Sequence, residues 1–123
     1  MSNQVAAPQA YRQSAVISAS PVELVVQLYD AARRFLRQGS VAMEERKIEE
    51  AHKKLRRAEL ILNYLASVID EDQGEVGAHL RSMYAFCLSR LNEARMTLDA
   101  SKVQEVSTLL GELRDAWQQV ADA

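Results

Sequence analysis

No proline follows Pro21, and only 4 glycines occur in all 123 residues. About a hundred consecutive positions therefore carry almost none of the residues that break helices most strongly. Ala, Leu, Glu, Arg and Gln are abundant in that stretch, so the composition is that of an all-helical chain. At 48% hydrophobic residues the chain can bury one sizeable core without disulfides or metals.

The first helix has a defined start. Ser20 can accept from the free amides of the first turn, Pro21 suits the first helical position, and Glu23 can close a capping box. From there Leu24, Leu28, Ala31 or Ala32, Phe35, Gly39 and Ala42 recur at steps of three and four, which predicts an inward stripe along a helix over about 21–46. Gly39 lies on that stripe, where it either admits a close neighbour or kinks the helix.

Ile48, Ala51, Leu55, Ala58, Leu62, Leu65 and Ile69 keep the three-four alternation without interruption and predict a second helix over 48–69. Ile61, Tyr64 and Val68 form a second apolar row beside it. A face that wide packs between two neighbouring helices or lines a groove for another chain. The acidic segment Asp70–Gly77 supplies a turn. A third helix over 75–98 then faces inward through Val76, Leu80, Met83 or Tyr84, Cys87 or Leu88, Leu91, Ala94 and Leu98. Ser101 and Gln104 predict a capping box for a fourth helix over 102–121, whose stripe is Val103, Val106, Leu110, Leu113, Trp117 and Val120. Four helices of matched length with short connections make an antiparallel up-down-up-down four-helix bundle over residues 20–123. Residues 1–19 lack helical spacing and read as an irregular N-terminal arm. It is either a passive tail or a segment that Tyr11, Val16 and Ile17 rest loosely against the bundle, from which a partner displaces it.

Catalytic and metal chemistry find little support in the residues. Glu49 and His52 have Glu-x-x-His spacing, but a carboxylate-bridged pair of metals needs a second such motif and further inward glutamates. His79 has only Glu75 one turn away. Cys87 has no evident base and lies on an apolar stripe, which raises a thiol pKa. No metal, cofactor or enzymatic activity is expected. The basic run Lys53, Lys54, Arg56, Arg57 is bracketed by Glu49, Glu50 and Glu59, and the formal net charge is -2, so a solvated face is a better reading than a nucleic-acid site. The N-terminal residues lack both a basic start and a continuous apolar run, and no segment approaches membrane-spanning length, so a cytoplasmic protein is the expectation. The residues alone lead to a helical protein-binding module, with a self-associating structural or adaptor protein as its competitor.

The segment Tyr11–Leu36 resembles the N-terminal signature of the FliS family, the flagellin-specific export chaperones. The resemblance rests on Tyr11, Val16, Ala19-Ser20-Pro21, Glu23-Leu24, Leu28-Tyr29-Asp30, Ala32 and Arg34-Phe35. Ala58, Ile61, Leu65, Leu80, Tyr84, Leu91-Asn92, Ala94, Leu113-Arg114 and Trp117 extend it over nearly the whole chain, while Ala31 and Met83 depart from the family's usual Gly and Leu. The resemblance implies a chaperone in the cytosol of a flagellated bacterium. Such a chaperone binds the disordered C-terminal segment of flagellin, prevents premature polymerisation and assists delivery to a component of the flagellar export gate. Within that reading, the wide apolar faces place the partner groove at Ile61, Tyr64, Leu65, Val68, Tyr84 and Leu88, each with ordinary core as its alternative. The sparse apolar content of the arm suggests that Tyr11, Val16 and Ile17 shield the groove when it is empty; a homodimer is a further state open to the free protein.

Overall fold

The computed structural model describes residues 20–70 and 74–123. Four helices account for nearly all of them: α1 (Pro21–Glu44), α2 (Ile48–Ser67), α3 (Gly74–Thr97) and α4 (Ala100–Asp122). At 1.5 Å per residue they are about 30 to 36 Å long. Contacts across the helix pairs run in opposite sequence directions. Arg114 bonds Asp30 and Gln104 bonds Ser40 between α4 and α1, while Arg90 bonds Glu105 and Lys102 reaches Glu93 between α3 and α4. The bundle is accordingly antiparallel and up-down-up-down.

The start of α1 is a reciprocal capping box: the Ser20 amide donates to Glu23 Oε1 at 3.0 Å and the Glu23 amide donates to Ser20 Oγ at 3.1 Å. The Ser20 amide first, and then the Ser20 hydroxyl, hold the Glu23 carboxyl below the usual range. The end of α1 comes at Glu44, before Arg46, because Arg46 turns left-handed with φ of 62°. Its amide then donates to the Met43 carbonyl and that of Lys47 to the Ala42 carbonyl, which closes a Schellman motif. Leu98 repeats the device at the end of α3, with φ of 54° and the Asp99 amide bonded to the Ala94 carbonyl. The start of α4 departs from the sequence expectation. Asp99, not Ser101, is its cap, with the Asp99 carboxylate accepting from the Ser101 amide at 3.0 Å. Gln104 is thereby free to cross to α1, where it donates to Ser40 Oγ.

Core packing sorts the stripes. In α2 the expected residues Ala51, Leu55, Ala58, Leu62 and Leu65 are all buried. In α1 the centre of the buried face is Val26, Tyr29, Ala32, Leu36, Gly39, Ser40 and Met43, so the expected Leu24, Leu28 and Phe35 lie on its flank, half-buried. The cause is that α1 runs close to both α2 and α4, and its inward direction falls between the two. Small residues permit this approach: a Cβ added at Gly39 would stand 3.1 Å from Leu55 Cδ2, and α1 continues unbroken through that glycine. Val76 and Leu98, expected inside, are 66% and 42% exposed because they lie at the two ends of α3, and Val120 is exposed at the end of α4. Leu80, Tyr84, Cys87, Leu91 and Ala94 form the buried side of α3.

A left-handed arginine carries a backbone penalty that glycine does not, partly offset by the greater freedom of glycine in the unfolded chain. Arg46→Gly should raise the unfolding free energy by roughly 0.5 kcal/mol, measured by urea denaturation, whereas Arg46→Ala should give no such gain.

Candidate partner-binding groove

The first turns of α1 and α3 and the last turns of α2 and α4 meet at one end of the bundle. Their side chains leave an open groove of about 430 Å³ there. The α1 wall is Pro21, Val22, Leu24, Val25 and Leu28; Tyr64, Leu65, Val68 and Ile69 come from α2 and the residues that follow it. Leu80 and Tyr84 of α3 and Trp117 of α4 complete the lining. Tyr64 and Val68 are 55% and 53% exposed, so they form a rim, while Leu65 and Tyr84 are buried and form the floor. Helical spacing explains the arrangement: Leu24 and Leu28 lie one turn apart on the α1 flank, and Tyr64 and Val68 do the same at the end of α2.

Four of the six residues expected at a groove, Tyr64, Leu65, Val68 and Tyr84, come together here. Ile61 and Leu88 do not line it. Each lies one helical turn deeper and packs half-buried against the core. Leu24 and Leu28 of the α1 wall, and Trp117, belong to the inward stripes that the sequence predicts, since a half-open flank has the same spacing as a buried stripe. Tyr11, Val16 and Ile17 lie outside the described residues.

Beneath the groove the core is polar at one point. The Tyr29 and Tyr84 hydroxyls share a hydrogen bond of 2.5 Å across the diagonal from α1 to α3, with ring centroids 6.5 Å apart. Burial raises the pKa of both phenols; for Tyr29 the hydrogen-bonding influence of Tyr84 and Trp117 pulls the other way. Cys87, buried nearby, is pushed by desolvation from its ordinary 9.0 to about 11. These groups are held neutral and serve as packing and hydrogen-bonding elements. Among the described residues no three His, Cys, Asp or Glu side chains stand close enough to hold a metal ion. No helix among them is long and apolar enough to cross a membrane. What the groove offers is apolar surface with one aromatic hydroxyl, that of Tyr64, on its rim, suited to receiving apolar side chains.

Fold and groove define a class: a small antiparallel four-helix bundle with an apolar groove open at one end. The profile of the family described as "Flagellar protein FliS" matches residues 2–123, and the chain belongs to that family. It is 32% identical over 117 residues to the flagellar secretion chaperone FliS of Salmonella typhimurium, covering 89% of this chain and 82% of that protein. The flagellar secretion chaperone FliS of Bacillus subtilis is 31% identical over 110 residues, again with 89% and 82% covered. That of Escherichia coli is 33% identical over 117 residues, with 90% and 86% covered. The family these relatives represent is one of chaperones and not of enzymes.

Rim and floor should respond differently to the same substitution. Val68→Asp should change the unfolding free energy by no more than about 0.5 kcal/mol, as for an exposed site. Leu65→Asp, which buries an unpaired charge, should cost about 3 kcal/mol or more in the same denaturation measurement.

The buried acids set a pH dependence. The folded pKa of Cys87 is raised, so the native state favours the bound proton. Its contribution to stability is whole below about pH 9 and is lost as pH rises through about 11. Tyr29 and Tyr84, also raised, extend the loss to higher pH. Urea midpoints measured from pH 8 to 11 should fall, and Cys87→Ala should make the fall less steep.

Proposed function

We propose that this protein is a cytoplasmic export chaperone whose groove binds the disordered C-terminal segment of flagellin. Bound in this way, flagellin is kept from polymerising early and is handed to a component of the flagellar export gate. The observation that carries the reading is the apolar groove open to solvent at one end of the bundle, in a chain of the flagellar secretion chaperone family. A segment that folds as it binds suits such a surface, because it covers many apolar side chains while its ordering cost keeps the complex reversible. Release then needs no chemistry. The buried Leu65 and Tyr84 offer a fixed floor, while Tyr64 and Val68 can close against an arriving helix without disturbing the core.

The test is a mixture of the purified chain with the C-terminal segment of flagellin from the same bacterium, sized by light scattering after gel filtration. A 1:1 complex is expected, and Tyr64→Asp combined with Val68→Asp should abolish it while leaving the far-ultraviolet circular dichroism unchanged. A stable oligomer of the chain alone that ignores flagellin would instead support a self-associating structural protein.

A further inference from the structure

The basic side chains of this bundle fall into two populations. On the α3 and α4 side all but Arg81 are paired: Arg90 with Glu93 and Glu105, Arg95 with Glu59, Lys102 with Glu93, and Arg114 with Asp30 and Asp115. Along the seam between α1 and α2 only Lys47 is, with Glu45 beside it, among the described residues. Among the described residues Arg34, Arg37, Lys53 and Lys54 have no carboxylate within 4.0 Å. The Arg57 guanidinium lies over the Phe35 ring at 5.7 Å, a contact that holds the cation in place but uses none of its hydrogen-bond donors.

These free charges are continuous with the apolar groove. Leu24, Leu28 and Tyr64, which wall the groove, also line an outer depression that Arg34 closes on the next turns of α1. Asp30 lines that depression too, but its carboxylate is already bonded to Arg114 Nε at 3.0 Å. Farther along the seam Arg37 and Lys54 flank a third depression, together with Lys47, Glu45 and Glu50. Glu45 there is paired with Lys47. The seam therefore passes from apolar to basic within a few helical turns, with Lys53 and Arg57 one turn apart on α2.

We propose that the segment seated in this groove carries Asp or Glu residues beside its apolar anchors, and that Arg34, Arg57 and Lys53 engage them as the segment leaves the groove along the α1–α2 seam. The proposal rests on the client-binding reading above and adds the chemistry of the client and the direction in which it runs. Charge complementarity selects the occupant. In a two-fold dimer through this face a second copy of the chain would bring the same cations against these. A nucleic acid would satisfy the cations yet has nothing to fill the adjoining apolar groove, and Glu45, Glu49 and Glu50 border the basic stretch. An acidic amphipathic peptide satisfies both halves.

The experiment compares two labelled probes by fluorescence anisotropy on the full chain: the flagellin C-terminal segment, and the same segment with every Asp and Glu changed to Asn and Gln. The acidic probe should bind about three- to tenfold more tightly, as expected for two or three exposed charge pairs, and the difference should shrink as salt is raised. Arg34→Glu with Arg57→Glu should remove the difference, while Arg81→Glu on α3, the same kind of charge change away from the seam, should keep it. Arg34→Gln with Arg57→Gln serves if the charge-reversed protein fails to fold. Equal binding of both probes by the unmodified chain overturns the acidic-client inference and leaves the chaperone reading intact. Binding of neither probe overturns both. Binding of a labelled single-stranded RNA that depends on Arg34 and Arg57, while both peptides bind alike, overturns the inference in favour of nucleic acid.

Discussion

The close docking of α1 against both α2 and α4 is the constraint on which the rest of the bundle depends. Ala32, Gly39, Ala51 and Ala58 are small enough to let backbones approach, and Leu55 fills the space that a side chain at Gly39 would occupy. With α1 wedged between two neighbours, its inward direction points through Tyr29, Ala32 and Leu36. Leu24, Leu28 and Phe35 are turned to the side. They can be neither fully buried nor fully wet, so they become the wall of a groove and the platform beneath Arg57.

The polar contacts reinforce this arrangement more than they create it. Asp30 to Arg114, Ser40 to Gln104 and the Ser107 carbonyl to Arg33 Nε tie α1 to α4 at three levels. Each is partly exposed and contributes modestly, but together they fix the register of the pair. The Tyr29–Tyr84 bond differs in being buried and diagonal. It gives the floor of the groove a polar joint whose two hydroxyls must stay protonated, which couples α1 to the more loosely packed α3. A groove whose floor is held in this way can receive a partner on its rim without reopening the core.

Much of the fold was legible because helix chemistry is local. The Ser20–Glu23 box is a matter of four residues, and the α2 seam from Ala51 to Leu65 is buried as its spacing requires. The start of α4 shows where that legibility stops. Ser101 and Gln104 have capping-box spacing, but Asp99 reaches the free amides first because Leu98 turns left-handed just before it. The groove was legible in part. Tyr64 and Val68 announced themselves as a surplus apolar row, whereas Leu24, Leu28 and Trp117 were indistinguishable from core residues by period alone.

By itself the sequence determined the helical class, the number and approximate bounds of the helices, the capped start at Ser20 and, through its signature residues, the family. Those properties depend on neighbours within a turn or two along the chain, or on the identity of residues in order. Only the tertiary structure decided which side of each apolar helix is core and which is wall, which arginines find carboxylates and which stay free, and that the free ones adjoin the groove. Such distinctions depend on the rotation of each helix about its axis, which is set by packing against residues dozens of positions away, and no periodicity within one helix can report it.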